Sequence, residues 1–299
     1  MGNVKTKRAC VRQAKEKKMK KLLTLIMALI LSIGCLACLT ACGGEEGADV
    51  KIKGYTGSVV GVDIYLMSLV CEELDMKIDV QDVDFDGIVG AVKTKNDAVG
   101  AAGITITDER KESVDFSNAY YSSVQYIISA TNEAFTSLEA LADKKIGVQK
   151  GTTGALMVAD AIEAGELGDA EVIEYDTGAV AFTAMKTGKC QYVVIDELPA
   201  QKLVNGSADY VANAIEGIEV EEYGFCISKT STLNAAVLAA MNKVIAETDI
   251  SSVVAYYTAL SNGESSTADI EVVNLADNKG ETLVVYTCSG FEPYEFVID

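Results

Sequence analysis

From position 62 to 260 the chain alternates between two hydrophobic periods, and that alternation limits its fold more than any other feature. Val62, Tyr65, Leu66, Leu69 and Val70 recur at helical spacing, whereas Met76, Ile78 and Val80 recur every second residue. The pattern predicts a helix over 62–74, a strand over 76–85, a helix over 87–95 and a strand over 98–102. Further strands are expected at 125–130, 145–149, 170–175, 191–195 and 225–229. Helices fall between and after them at 153–164, 178–186, 198–204, 233–247 and 250–260. Strand and helix in regular turn imply an α/β protein with mainly parallel sheets covered by helices. A body of this length divides more naturally into two lobes than one.

Charge narrows the class. The 299 residues include 25 basic and 44 acidic side chains and no His, for a net charge of −19. Without His there is no Ser-His-Asp triad and no His-ligated metal. A surface this acidic offers no basic face to a nucleic acid. The negative charge is unevenly spread, since residues 1–21 hold nine basic side chains against the single acid Glu16. An apolar run follows from Leu22 to Cys42. A basic head, an apolar run and an acidic body have the layout of an export signal.

The run ends in Leu39-Thr40-Ala41-Cys42, followed by Gly43-Gly44-Glu45-Glu46. This tetrad resembles a bacterial lipobox, which implies a signal peptide over 1–41, a lipid on Cys42 and a tether over 42–50. An uncleaved membrane helix is the alternative, because the run is long enough to span a bilayer. Met19-Lys20-Lys21 would itself open a signal of ordinary length, so Met19 is a second candidate start. The opening Met1-Gly2-Asn3 also fits a myristoylation pattern, but the lipobox is the better-supported signal. Cys35, Cys38 and Cys42 lie in an apolar setting that does not suit a metal site. Cys71, Cys190, Cys226 and Cys288 read as buried free thiols.

The most specific stretch is Gly103-Ile104-Thr105-Ile106-Thr107-Asp108-Glu109-Arg110 with Val114-Asp115-Phe116-Ser117 after it. With Asp84-Phe85-Asp86-Gly87, Gly147-Val148-Gln149-Lys150-Gly151-Thr152-Thr153 and Ile195-Asp196-Glu197-Leu198-Pro199-Ala200, it resembles the solute-binding proteins of amino-acid ABC transporters (family 3). The likeness runs from about Gly61 to Leu260. It implies a two-lobed, type II periplasmic-binding-protein-like fold, working as a monomer and delivering an amino acid to a membrane permease. It implies no cofactor and no metal. An enzyme on the same fold, such as a cyclohexadienyl dehydratase-like protein, and a ligand sensor are the alternatives. For an enzyme, Glu197 is the nearest candidate acid.

The chemistry of an amino acid suits these residues. Arg110 offers a planar fork for a carboxylate. Backbone around Gly103 and Thr105, and the helix start at Thr152-Thr153, supply further donors. Asp196 can accept from the ammonium, although a surface ion pair for Arg110 and a helix cap for Asp196 are the simpler roles. The resemblance adds Phe85 and Phe291 as aromatic walls. It also places an acid near Cys288 in binders of basic amino acids, so the thiol here points to a neutral side chain.

One feature departs from the family. Its chains usually begin with a strand and an aromatic-Pro loop, and here such a segment, Leu283–Asp299, follows the polar stretch 261–281. The expectation is a circular permutation in which the C-terminus supplies the first strand; a tandem protein cut short is the rival. Lobe 1 would then comprise 50–124 plus 225–299, with a linker at about 261–281, and lobe 2 would comprise 125–224. Residues 283–287 should form an internal parallel strand beside 78–83.

Overall fold

The computed structural model describes residues 51–298; the leader, Cys42 and the whole tether lie outside the described residues. Two five-stranded sheets organise two lobes. The first sheet runs β3 (Lys77–Asp82), β15 (Thr282–Thr287), β4 (Ala98–Gly100), β13 (Cys226–Ser228) and β5 (Val114–Phe116). The second runs β11 (Tyr210–Ala214), β7 (Gln125–Ala130), β10 (Tyr192–Asp196), β8 (Lys145–Gln149) and β9 (Glu171–Tyr175). Between the lobes, β6 (Tyr121–Ser123) pairs antiparallel with β12 (Glu221–Tyr223), so the backbone crosses twice side by side.

Both sheets are mainly parallel, as expected, but each is mixed by one reversed strand, and the crossings are the reason. The strands β3, β15 and β4 are mutually parallel, as are β10, β8 and β9. The chain leaves each crossing directly into a strand of the opposite sense. Thus β7 runs antiparallel to β10 and β11, and β13 runs antiparallel to β4 and β5.

Helices cover these sheets: α1 (Val62–Glu73), α2 (Ile88–Lys93), α3 (Asp108–Ser113), α4 (Thr153–Glu163), α5 (Gly178–Lys186), α6 (Glu197–Val204), α7 (Asn234–Glu247) and α8 (Ile250–Ser261). Helix α1 is buried on nearly every side, through Val62, Ile64, Tyr65, Leu66, Met67, Val70 and Cys71. It lies between the first sheet and α7 and α8, which explains an apolar composition that is not confined to one stripe. The four body cysteines are free and buried. Among the described residues no helix is long and apolar enough to cross a membrane.

The C-terminal segment is built into the first lobe. Strand β15 lies parallel between β3 and β4, with Leu283 and Val285 fully buried. After it, β16 (Phe296–Val297) pairs antiparallel with β2 (Val59–Val60), and the Ile298 N–H donates to the Ser58 carbonyl at 2.9 Å. The polar stretch before β15 is docked too. Its β14 (Val273–Asn274) runs parallel to β1 (Ile52–Lys53), and Ile270, Val273 and Leu275 are buried.

Candidate functional site

The strand ends of both lobes converge on one cavity. In the first lobe, β4 leads into a turn at Gly103, whose φ is +53°. The Gly103 N–H donates to Asp63 Oδ2 at 2.8 Å, and the Tyr120 hydroxyl donates to Asp63 Oδ1 at 2.7 Å. Burial pushes the Asp63 carboxyl up to about 7, with these two donors pulling the other way. A Cβ at position 103 would lie 2.7 Å from Phe291 Cε1. Glycine is therefore required twice here, for its left-handed backbone and for the ring packed on it.

From this turn the chain enters α3, capped by Thr107, whose hydroxyl accepts from the Arg110 N–H at 3.2 Å. The Arg110 guanidinium folds back over the cleft. It donates to the Thr105 carbonyl at 2.7 Å and, across the cleft, to the Gly151 carbonyl at 3.1 Å. It also stands 5.5 Å from the centre of the Phe85 ring, within cation–π range. Burial lowers its proton affinity from the ordinary value, yet a guanidinium stays charged in a protein.

The second lobe contributes the turn after β8 and the end of β10. Thr152 caps α4, accepting from the Ala155 N–H at 3.2 Å, and Thr153 opens its first turn. Asp196 holds the cap position of α6, but its side chain makes no capping bond. Instead it is buried in the cleft, where Gln125 Nε2 donates to its Oδ1 at 2.5 Å. Burial, reinforced by the charge of Glu221, pushes the Asp196 carboxyl up to about 8.

Phe85, Gly103, Thr105, Arg110, Thr152, Thr153, Asp196 and Phe291 all line the same cavity, together with Gln149. The cavity measures about 10 Å³, room for no more than one water. The lobes are thus drawn together around the side chains. At the rim, Lys150 of the second lobe meets Asp86 of the first at 2.6 Å. Glu197 does not line the cavity; it accepts from the Tyr126 hydroxyl at 3.1 Å and from Gln201 Nε2 at 3.3 Å.

Three polar residues at this site were not singled out from the sequence. Gln149 lies inside the quoted Gly147–Thr153 motif; its Nε2 reaches Cys288 Sγ at 3.7 Å, and its buried Oε1 has no partner. Gln125 begins the strand after the first crossing, and its Nε2 touches both acids, Asp196 and Glu221. Glu221 lies on β12, and its carboxylate accepts from the hydroxyls of Thr105 and Thr153, each at 2.8 Å.

Two α/β lobes joined by a pair of crossing strands, with charged and aromatic groups from both facing one cleft, define a hinged binding protein for a small molecule. The model of the bacterial extracellular solute-binding proteins, family 3, matches residues 44–258, and the chain belongs to that family. The arginine-binding extracellular protein ArtP of Bacillus subtilis (strain 168) is 32% identical over 146 residues, 45% of this chain. That match spans 57% of the relative, a little over half its length. An ancestral arginine-binding protein bound to arginine superposes with a TM-score of 0.57 at 34% identity, over 65% of this chain and 84% of that one. An ancestral arginine-binding protein bound to glutamine gives 0.56 at 35% identity, with the same coverage of both chains.

Proposed function

We propose that the chain captures an amino acid between its lobes and hands it to the permease of an ABC transporter, held at the outer face of the membrane by a lipid on Cys42. The observation that carries this reading is the convergence of Arg110 and Asp196, from different lobes, on one closed cleft. Arg110 grips the ligand carboxylate, with Thr105 and Thr153 as further donors, and Asp196 takes the ammonium. A zwitterion paired at both ends loses little on leaving water, whereas either charge left alone would be costly. Since the two anchors sit on opposite lobes, the ligand stabilises the closed form.

The side-chain end favours a ligand carrying N–H donors. Phe85 and Phe291 flank the cleft, and the unpaired Gln149 Oε1 faces the need for a donor. An amide or a guanidinium meets that need, and the thiol of Cys288, in place of an acid, favours the neutral amide. A thermal-shift screen of the common amino acids tests the reading. L-glutamine or L-arginine at a hundred times its dissociation constant should stabilise by about 2.7 kcal/mol, raising the melting temperature by roughly 5–10 °C. No shift with any amino acid would remove the proposed function. We read the chain as a binder rather than a catalyst, and the ligand should be recovered unchanged after binding.

Binding should also release a proton. The unliganded Asp196 carboxyl titrates at about 8, and pairing with an ammonium pulls a carboxyl down. The ligand therefore prefers the ionised form. Affinity should rise about tenfold per pH unit from about 6 toward 8 and then level off. Calorimetry at pH 6.5 in buffers of different ionisation enthalpy should report close to one proton released per ligand. A pH-independent affinity would separate Asp196 from the ammonium. Without ligand the sign is opposite for stability. Asp63 and Asp196 titrate above the usual carboxylate range, so their stabilising contribution is complete in acid and declines as pH rises through about 7 and 8.

We also propose that the chain is a circular permutation of the family's usual order. The parallel seat of β15 between β3 and β4 supports this, as does the β16–β2 pairing that brings Ile298 beside Ser58. Leader, tether and lobe boundaries are proposed as 1–41, 42–50, 50–124 plus 225–299, and 125–224.

A further inference from the structure

The cleft holds one charged group that the amino-acid reading leaves without a task. Glu221 comes from the crossing strand β12, not from either lobe's strand ends. Its Oε2 accepts from the Thr105 hydroxyl and from the Thr153 hydroxyl, both at 2.8 Å. Its Oε1 accepts from Gln125 Nε2 at 3.2 Å. Thr105 belongs to the first lobe and Thr153 to the first turn of α4 in the second. Their hydroxyls are 3.4 Å apart, so a single carboxylate oxygen ties the two lobes together.

This is an anion site by construction. Hydroxyl donors to a carboxylate form charge-assisted bonds, roughly twice as strong as neutral ones. The N-terminal turn of an eleven-residue helix, α4, adds its partial positive charge. Arg110 lies on the rim of the same cavity. The space that remains, about 10 Å³, cannot take a second carboxylate. One anion at a time can use these donors, and here the protein's own side chain uses them.

We infer that Glu221 is an internal stand-in for the ligand carboxylate, holding the unliganded cleft closed and having to withdraw before an amino acid can bind. The inference rests on the reading that Thr105 and Thr153 serve the ligand's carboxylate. It makes Glu221 a determinant of affinity that works by competition. The self-occupied state cannot accept ligand, so the apparent dissociation constant is the intrinsic one divided by the fraction of molecules whose clasp is released. Gln125 keeps its bond to Asp196 when Glu221 leaves, so the ammonium site survives the exchange.

The test compares the full chain with E221A and E221Q. Hydrogen exchange in the absence of ligand should become faster at 103–107 and 152–156 in E221A, and less so in E221Q, whose amide oxygen retains one acceptor. Exchange in the core strand β8 should not change. Titration with L-glutamine and with L-arginine should give E221A an affinity about tenfold tighter than the unsubstituted chain. Exchange equal to the parent in both variants, or weaker binding by E221A, would overturn the inference. If E221A does not fold, E221Q carries both measurements. Loosened segments in a protein that binds neither amino acid would leave the clasp standing while removing the ligand reading, so the two can fail separately.

Discussion

Replacing Arg110 with Ala is expected to lower amino-acid affinity by about a thousandfold while leaving the fold intact. Removing one member of a buried charge pair costs about 3–5 kcal/mol, because the partner is left desolvated and alone. About 4 kcal/mol is three decades of affinity. The fold should tolerate the change, since Arg110 is half-buried at the surface of the short helix α3 and outside the apolar cores. The Thr107 cap bonds the Arg110 backbone N–H, which alanine keeps. Lysine should rescue little. Arg110 holds a carbonyl in each lobe with separate nitrogens, and an ammonium that held both would keep a single N–H and no planar fork for a carboxylate. Calorimetric titration of R110A and R110K, alongside their thermal unfolding, checks this. Binding within tenfold of the parent in R110A would place the carboxylate elsewhere.

Much of this site was legible because its residues sit in motifs at the ends of strands with clear periodicity. Gly103 and Thr105 follow β4, Thr152 and Thr153 follow β8, and Asp196 ends β10. In an α/β sheet those are the ends where ligands collect. A linear reading that places β4, β8 and β10 therefore brings their loops together without further information. Phe85 and Phe291 came from resemblance alone, and nothing in their local sequence separates a cleft wall from a core ring.

Glu221 illustrates what a sequence withholds. It is followed by a second acid, Glu222, and then Tyr223, on a strand of three residues. Side chains on a strand alternate, so one acid faces the cleft and the other faces away, but which is which depends on register. That register, Glu221 opposite Ser123, is set by a partner about a hundred residues earlier. The short strand β5 escaped for a different reason, since three residues carry too little periodicity to recognise. The mixed sheets follow from the crossings, which strand–helix alternation does not encode. Gln149 differs: it stood within a recognised motif, and the missed signal was a buried polar side chain directly after the apolar stretch Ile146–Val148.

Ending the chain at Glu281 is expected to abolish cooperative folding altogether. The lost segment includes β15, whose six residues pair with β3 and whose centre also pairs with β4. Without it the first sheet is split, and two strands expose backbone groups that had partners. Leu283, Val285, Phe291, Tyr294 and Phe296 leave the core as well. Deleting one large core side chain costs about 2–5 kcal/mol. Five such losses, about 10–25 kcal/mol, match or exceed the roughly 5–15 kcal/mol that keeps a typical domain folded. The truncated chain should show no sigmoidal thermal or urea transition. A rearranged chain should recover one: residues 262–299 placed first, a short glycine–serine loop, then residues 57–261. The loop has little distance to span, because Ile298 already bonds Ser58, and closing a short flexible loop costs little. It would forgo the two-residue β1 but keep every strand of both large sheets. Cooperative unfolding with ligand binding intact would support the permuted order. A rearranged chain that stays unfolded while the natural order folds would end that proposal, and a truncated chain as stable as the parent would mean that β15 contributes nothing to the sheet it divides.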